Sequence, residues 1–257
     1  MVPLVQHDEW RRAECTRRPG SGSQRSRSGP APSIASDDSR MIRHALAPVF
    51  VPAARTLGVP RRLGVGTGGV ALTFDDGPHP EGTPMVLEIL ARAGARATFF
   101  MVGEQVARRP ELAAEVAAAG HLVGLHGFHH RLQLRLSATA VAEDLRRGRE
   151  TLGAATGTFP GWHRPPFGIY SSAGLAAVGE IGLRPLLWSR WGKDWRKFTT
   201  PHRIYQRAGA GAEAGDVILL HDADFYSSRN SHRRTAAALV LILDHLDRRK
   251  LATVLPV

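Results

Sequence analysis

The sequence has one cysteine, few lysines and no long apolar run, and each shortage excludes a class of protein. Because Cys15 is the only cysteine, no intramolecular disulfide can form and the fold cannot depend on one. No apolar run is long enough to span a bilayer as a helix. The first residues are charged and lack the apolar core of a secretory signal, and prolines interrupt the segment that starts at Met41. The sequence therefore predicts neither a transmembrane helix nor a clear export signal, and it assigns no compartment or oligomeric state.

Lysine is scarce, but arginine makes the chain strongly basic. Only three of the 34 basic residues are lysines, and the formal net charge is +11. A basic body favours an anionic partner such as a cell-wall polymer or a nucleic acid. No arginine cluster is interleaved with aromatic residues, as a nucleic-acid groove requires. We therefore interpret the arginines as solvated surface residues and expect no nucleic-acid partner.

The composition changes near residue 68, where we place a domain boundary. Residues 16–40 are rich in Ser, Arg, Pro and Gly, so they bury too little apolar surface to offset the entropy of ordering. We expect residues 1–67 to form a mostly disordered N-terminal tail and residues 68–257 to form the functional domain.

From residue 68 onward, short apolar runs alternate with helical patterns. Strands are predicted at 70–74, 97–101, 122–125, 162–164, 184–188, 217–220 and 252–255, with helices between them that include 137–152, one from 201, and 235–249. This alternation is typical of βα units and a parallel sheet. Seven or eight units in this length predict an α/β fold, a small or distorted (β/α) barrel.

Polar residues that can carry chemistry lie where the predicted strands end. Asp75 follows the first strand, His126 the third and His221 the strand at 217–220, while Arg164 ends the fourth. The carboxyl ends of parallel strands converge on one face of a barrel. Side chains that are far apart in sequence are therefore expected to meet there.

Two of these groups predict a metal site. Asp75 and Asp76 are adjacent carboxylates, and a cation removes their repulsion and lets one bind metal while the other acts as a base. His126 and His130 are four residues apart and project from one side of a helical turn. Two histidines and one carboxylate suit Zn²⁺, or another divalent ion such as Co²⁺, with positions left for water and substrate. Taken alone, the acid pair is also typical of a turn, and the histidines of a polar surface loop.

Three further groups predict catalytic support. Arg164 lies on a stiff Arg-Pro-Pro loop and can form a bidentate pair with a carboxylate that keeps the carboxylate ionised. Trp191 and Trp195 offer flat apolar faces to a sugar, and Asp194 would raise the pKa of His221 so that it holds a proton at neutral pH. Each group alone also fits a structural role, such as a core tryptophan or a satisfied core histidine. Their order and their positions at strand ends favour one joint active site.

These motifs resemble those of the polysaccharide deacetylase family, also called carbohydrate esterase family 4 or the NodB homology domain. The family's opening motif is intact as TFDDGP at 73–78, and its His-Ser/Thr-x-x-His motif matches His126 and His130. The residues that match three further motifs are Arg164, Pro166, Phe167, Asp194, Trp195, Leu219 and His221. The resemblance covers residues 68–257. It implies a distorted (β/α) barrel and a metal-dependent hydrolase that removes acetyl groups from N-acetylated sugar polymers such as peptidoglycan or chitin.

The resemblance also implies a role for each matched residue. The catalytic residues would be Asp75, Arg164, Asp194 and His221, the metal ligands Asp76, His126 and His130, and the substrate-binding residues Pro166, Phe167, Trp195 and Leu219. Among these, Asp75 would be the base that Arg164 orients, and the backbone N–H of Phe167 would hold the oxyanion. His221, kept charged by Asp194, would protonate the leaving amine.

The chain departs from the family pattern in the histidine motif. Gly127 stands where the family has a hydroxyl residue, and Arg131 stands where a proline commonly follows. Because that hydroxyl braces the loop, the resemblance leaves this loop without a bracing residue.

Three other functions fit parts of the sequence. A hydrolase of O-acetyl esters or small amides would use the same catalytic set. A non-catalytic carbohydrate-binding relative would have lost a ligand or the base, and none is lost here. Nucleic-acid binding would use the basic tail and body, and a gel shift across salt concentrations would detect it.

Overall fold

The computed structural model describes residues 58–257, so most of the predicted tail lies outside the described residues. Within the described part, residues 59–63 run along the body of the fold. Arg62 forms an antiparallel bridge with Asp216, and the N–H of Leu63 donates to the carbonyl of Gly215 at 2.8 Å. Val59 is buried, so the chain packs against the body before the boundary at residue 68.

Eight strands and seven α-helices make up most of the described part of the chain. The strands are β1 Gly69–Asp75, β2 Thr98–Met101, β3 Leu122–Leu125, β4 Trp162–His163, β5 Arg184–Pro185, β6 Arg190–Trp191, β7 Val217–His221 and β8 Ala252–Thr253. The helices are α1 Gly82–Arg92, α2 Gly103–Arg108, α3 Pro110–Ala118, α4 Ala138–Thr156, α5 Ser172–Glu180, α6 Pro201–Ala208 and α7 Ser231–Arg248. None of the helices in this part is long and apolar enough to cross a bilayer.

The strands form one curved sheet whose ladders are parallel. Their order is β5-β4-β3-β2-β1-β7-β6, and β8 pairs with the first two residues of β1. All residues of the central strands β1 and β7 are buried, as expected for a parallel sheet that is covered by helices outside and by side chains inside the barrel. No ladder between described residues joins β5 to β6, so the barrel is open there. The predicted distorted (β/α) barrel is confirmed.

Two helix starts confirm the predicted capping residues. The hydroxyl of Ser137 accepts the N–H of Ala140 at 3.2 Å ahead of α4. The hydroxyl of Thr200 accepts the N–H of Arg203 at 3.3 Å, with Pro201 as the first helical residue of α6. Each cap satisfies an amide that has no partner inside its helix.

Several predicted elements were wrong in extent; for example, α4 continues to Thr156 and β8 ends at Thr253. The strand at 184–188 ends at Pro185, because the carbonyls of Leu186 and Leu187 accept hydrogen bonds from the Arg164 guanidinium instead of from a neighbouring strand. Helix α7 begins at Ser231 and not at 235. Its first turn is polar although Ser231 and His232 are buried, so an apolar periodicity does not reveal it.

The carboxyl ends of the strands form one edge where the predicted site residues gather. Asp75 at the end of β1 is in register with His221 at the end of β7, and Leu125 on β3 is in register with His163 on β4. The turn after β1 requires glycine, because a Cβ on Gly77 would lie 2.5 Å from a carboxylate oxygen of Asp222. The loops after β1 and β7 can therefore approach each other closely.

Candidate active site

A cavity at the carboxyl edge of the sheet collects most of the predicted site residues. Its lining includes Asp75, Asp76, His126, His130, Phe167, Trp195, Leu219 and His221. Arg164 and Asp194 do not line the cavity; they lie behind it, fully buried, and bond to lining residues. Pro166 is buried in the turn before Phe167 and does not line the cavity. Trp191, which the sequence also suggested as a flat surface for a sugar, lines the cavity, and two residues that were not predicted, Gly168 and Trp188, complete the lining.

Asp76 is a buried carboxylate without a hydrogen-bond partner. Both of its side-chain oxygens are shielded from solvent and accept no hydrogen bond. Its backbone has φ = 81°, which is uncommon for a non-glycine residue and is often found at functional sites. Burial opposes ionisation, but the imidazoles of His130, His221 and His126 outweigh it and hold the pKa of Asp76 well below its usual range. An ionised, unsatisfied carboxylate in the interior requires a cation.

His126 and His130 face this carboxylate, and with it they form the ligand triplet Asp76, His126 and His130. The Nε2 atoms of His126 and His130 lie 3.5 and 3.3 Å from Asp76 Oδ1, and one ligand atom from each residue lies within 4.8 Å of the others. His126 Nδ1 lies 2.8 Å from the carbonyl of Arg164, and since a carbonyl only accepts, Nδ1 carries the proton. The lone pair of Nε2 therefore points to Asp76. Burial lowers the pKa of His126 to about 3, so its ring is neutral, as a metal ligand must be.

Asp75 is the second carboxylate, and its side chain is hydrogen-bonded to Arg164 and not to the ligand triplet. Arg164 Nη1 donates to Asp75 Oδ1 at 2.8 Å, while Asp75 Oδ2 is 3.9 Å from His126 Nε2. Burial raises the pKa of Asp75 to about 6, against the opposing charges of Arg164 and His221. Two adjacent carboxylates therefore have pKa values displaced in opposite directions, which is typical of paired groups with different catalytic roles.

The expected bidentate pair between Arg164 and a carboxylate is wrong. Nη1 donates both to Asp75 and to the hydroxyl of Thr73. Nε donates to the carbonyl of Leu186, and Nη2 donates to the carbonyl of Leu187. Carbonyls therefore occupy the donors that a second carboxylate bond would need. The guanidinium also lies over the ring of Phe100 at 4.1 Å, so the cation is held on all sides and fixes one oxygen of Asp75.

His221 is held by Asp194 on the other side of the cavity. Asp194 accepts the N–H of His221 at 2.7 Å and contacts its Nδ1 at 2.9 Å, while Thr235 donates to the same carboxylate at 2.8 Å. Burial alone would lower the pKa of His221, but the Asp194 carboxylate outweighs it and raises the pKa to about 10. The ring is therefore positively charged at neutral pH. Trp195 packs against it edge-on, with ring centroids 5.7 Å apart.

The turn that contains Phe167 closes another side of the cavity. Phe167 has φ = 64°, and its ring meets His130 edge-on at 4.7 Å. A Cβ on Gly168 would lie 2.2 Å from the ring of Trp188, so glycine is required for this tryptophan to cover the turn. Trp188, Trp191 and Trp195 form a row of rings with successive centroids 5.7 and 5.1 Å apart.

Asp144 on α4 braces the histidine loop, which the sequence left without a bracing residue. Its carboxylate accepts the N–H groups of Phe128 at 2.8 Å and His129 at 3.1 Å and contacts the ring of His129 at 3.0 Å. Gly127 has φ = 81°, and a Cβ there would lie 3.0 Å from Asp144, so a hydroxyl residue does not suit this loop. No spacing rule connects position 144 to the loop, which is why the sequence did not reveal it.

Tyr226, in the loop after β7, was also missed. Its ring stacks on His130 with centroids 4.1 Å apart and planes 10° apart. Its hydroxyl donates to Glu104 at 2.7 Å and accepts from Gln105 at 3.2 Å. The only signal in the sequence is a tyrosine next to Phe225 in a short loop, which does not predict a contact with a ligand of the triplet.

A second group, the His79 cluster, consists of His79, Asp224 and His232 and also places ligand-type atoms within 4.8 Å of one another. His79 Nδ1 accepts the backbone N–H groups of Glu81 at 3.2 Å and Gly82 at 2.9 Å. The ring proton is therefore on Nε2, which lies 3.1 Å from Asp224. A neutral histidine in this state has no lone pair to offer a cation, so the His79 cluster fits a metal poorly.

Comparison with known families gives a match over much of the domain. A family model described as polysaccharide deacetylase matches residues 64–186. A peptidoglycan-N-acetylglucosamine deacetylase from Bacillus cereus is 35% identical over 185 residues, which cover 69% of this chain and 81% of the relative. A chitooligosaccharide deacetylase from Azorhizobium caulinodans is 32% identical over 203 residues, which cover 76% of this chain and 96% of the relative.

Solved structures agree with these sequence relatives. A family 4 carbohydrate esterase from Streptomyces lividans, in complex with acetate, superposes with a TM-score of 0.66. It is 28% identical in sequence, and the match covers 74% of this chain and 94% of the esterase.

Proposed function

Because the chain belongs to the polysaccharide deacetylase family, we propose that it is a metal-dependent hydrolase that removes acetyl groups from N-acetylated glycans. One observation carries this proposal: a complete ligand triplet lies in one cavity between a separate carboxylate, Asp75, and a protonated imidazole, His221. A cation site flanked by a base and an acid suits hydrolysis of an amide.

The donor set fits a divalent ion, and we propose Zn²⁺. Asp76 would supply an otherwise unpartnered carboxylate, and His126 and His130 would supply neutral imidazole nitrogens. One carboxylate and two histidines suit zinc and leave positions for water and substrate. A divalent ion held there supplies Lewis acidity for the acetyl carbonyl and lowers the pKa of the attacking water.

Asp75 would act as the general base. It is next to the ligand triplet but is fixed by Arg164 through one oxygen, which leaves the other oxygen facing the triplet. Above its pKa of about 6 it is ionised and can take the proton of the attacking water.

His221 would act as the general acid. Its Nδ1–H is directed at Asp194, so Nε2 is the atom that gives a proton to the leaving amine. An amine leaves poorly without protonation, so an amide substrate needs this acid more than an ester does. The charge on Asp194 holds the ring in the correct tautomer and keeps it protonated.

The remaining predicted residues would bind the substrate. The backbone N–H of Phe167 would stabilise the oxyanion that forms during attack. Trp195 and Leu219 would contact the sugar, with Pro166 shaping the turn behind Phe167. The peptidoglycan and chitooligosaccharide relatives suggest acetylated glycan as the substrate and, through the former, the cell envelope as the location.

Acetate release tests the proposal. The zinc-loaded chain is expected to release acetate from N-acetylglucosamine oligomers or peptidoglycan strands, and Asp75→Asn to lose most of this activity while keeping its zinc. A purified, zinc-loaded chain that releases no acetate from any acetylated glycan would point to a non-catalytic carbohydrate-binding protein instead.

The similarity to a carbohydrate esterase favours one second candidate, hydrolysis of O-acetyl esters. An ester has a better leaving group, so His221→Ala would impair ester hydrolysis less than amide hydrolysis. Equal rates on acetylated xylan and on N-acetylated oligomers would favour this candidate.

A further inference from the structure

The loop between β6 and α6 carries an unusual concentration of positive charge beside the cavity. Residues 190–207 contain six Lys or Arg residues but only one acid, Asp194, which is fully buried against His221. Two of the three lysines of the chain lie here. We define the basic rim as Lys193, Arg196, Lys197, Arg207 and Arg234.

The basic rim combines unpaired cations with a position beside the cavity. Elsewhere in the described part some exposed arginines pair with acids, as in Arg62–Asp216, Arg92–Glu88 and Arg233–Glu81, while others, such as Arg131 and Arg184, form no ion pair. Within residues 58–257, the cations of the basic rim form no ion pair within 4.0 Å. Unpaired like charges repel one another, so a fold retains this arrangement at a cost that an anionic ligand would remove.

Hydrogen bonds and ring contacts hold the rim next to the cavity. Lys193 Nζ lies 4.9 Å over the ring of Trp191, which lines the cavity. Arg234 donates to the carbonyl of Arg196 at 3.3 Å and to Ser228, whose N–H donates to Trp195 at 3.1 Å.

The electrostatics agree with this packing. Partial burial, together with the charges of Arg196 and Arg207, lowers the pKa of Lys193. Lys193 is therefore close enough to both arginines for their charges to repel its own. Arg196 and Lys197 are exposed, and Phe198 beside them is 82% exposed. Flat rings and free cations therefore extend from the cavity to the surface in one continuous strip.

We propose that the basic rim binds carboxylate groups on the glycan itself, so that the preferred substrate is a polyanionic acetylated glycan and not a neutral amino-sugar oligomer. This inference rests on the proposed deacetylase function. It departs from the interpretation of the basic residues as solvated surface residues, because in this loop bases and aromatic side chains alternate beside the site. The charge must lie on the polymer that enters the cavity, since the rim is continuous with the cavity lining.

A matched pair of substrates tests the proposal. Glycan strands with free lactyl carboxylates are compared with the same strands after their carboxyl groups are amidated with methylamine, and kcat/KM is measured for acetate release from each. The wild type is expected to prefer the charged strand by about tenfold or more at low salt, in the range of electrostatic steering. This preference should fall as the ionic strength rises.

A matched pair of variants assigns the preference to the rim. The triple substitution Lys193→Gln, Arg196→Gln and Lys197→Gln should reduce the charged-to-neutral ratio of kcat/KM by about tenfold. The control, Arg92→Gln, Arg96→Gln and Lys250→Gln, removes the same charge from exposed residues at the opposite end of the strands. It should leave the ratio unchanged.

The outcomes separate this inference from the proposed function. If the wild type deacetylates both strands with equal kcat/KM, or if both triple variants change the ratio equally, the basic rim has no role in selecting substrate and the inference is wrong. If the wild type releases acetate from neither strand, the proposed function itself fails.

Discussion

Two clusters of two histidines and one aspartate lie near the same edge of the barrel, and only one of them suits a metal ion. The ligand triplet and the His79 cluster both bring their ligand-type atoms within 4.8 Å of one another. They differ in which nitrogen of the histidine ring carries the proton. His126 Nδ1 donates to a carbonyl and frees Nε2, whereas His79 Nδ1 accepts two amides and leaves the proton on Nε2. Proximity alone is therefore a weak criterion for a metal site. The hydrogen bonds between backbone groups and each ring determine whether a ring nitrogen is free to bind the ion.

The largest expected difference between the two clusters is the loss of zinc affinity when one histidine of each is replaced. His126 and His232 are equally buried, at 2% exposure, so His126→Ala and His232→Ala form a matched pair. His126→Ala should lower zinc affinity by more than about 100-fold, above the loss typical of an outer-shell partner, and abolish acetate release. His232→Ala should keep zinc affinity within about threefold of the wild type. Competition with a chelating dye measures both, and equal losses would remove the distinction.

The next largest effect concerns the two carboxylates beside the triplet. Asp75→Asn removes the base but no ligand, so kcat should fall by about 10²–10⁴-fold while zinc affinity changes little. Asp76→Asn should lose both. A parallel loss of zinc in the two variants would show that Asp75 also binds the ion and would contradict the separation of their roles.

A smaller effect tests how the surroundings of a histidine set its pKa, with His221 as the example. The pKa of His221 is raised to about 10, and a general acid works only while protonated, so activity should fall as pH rises through that value. Asp194→Asn removes the largest effect that opposes burial, leaves only the weaker effects of Asp76 and Asp75, and should move this alkaline limb to lower pH. Each unit by which the pKa of His221 lies below the working pH reduces the protonated fraction of His221 about tenfold. A pH profile of kcat/KM measures the shift.

Thr235→Val is the matched control for this shift. It removes one hydrogen bond to Asp194 but keeps the carboxylate, so its alkaline limb should move less than that of Asp194→Asn. Equal shifts in the two variants would contradict the assignment of the raised pKa to the charge of Asp194.

The smallest effect tests what orients the triplet. Tyr226→Leu removes the ring that stacks on His130 and should weaken zinc binding by about 10-fold, the lower end for an outer-shell partner. Tyr226→Phe keeps the ring and should retain most of the affinity. If both variants bind zinc as tightly as the wild type, the stacking does not position His130.

The sequence predicted those parts of the site that consist of reactive residues at strand ends. Asp75, His126 and His221 could be found because strands alternate with helices and each residue follows an apolar run. Asp144 and Tyr226 could not, because they act through tertiary contacts from a helix and a loop with no fixed spacing to the site. The single bond from Arg164 to Asp75 also depends on which carbonyls lie near its other donors. Motifs specify which groups react, whereas packing specifies what holds them.

The fold shows the same limit in its weaker elements. The buried strands β1 and β7 are continuous apolar runs, which period and length reveal. The break between β5 and β6 depends on Arg164 taking the carbonyls of Leu186 and Leu187, which is a long-range event. The polar first turn of α7 is likewise stabilised by contacts that an apolar periodicity does not record.

The most direct test of the central claim is a crystal structure of the zinc-loaded chain, with anomalous scattering recorded on both sides of the zinc absorption edge. We predict one zinc peak, within bonding distance of Asp76, His126 and His130, and none at the His79 cluster. A peak at His79, Asp224 and His232, or none at the ligand triplet, would contradict the account.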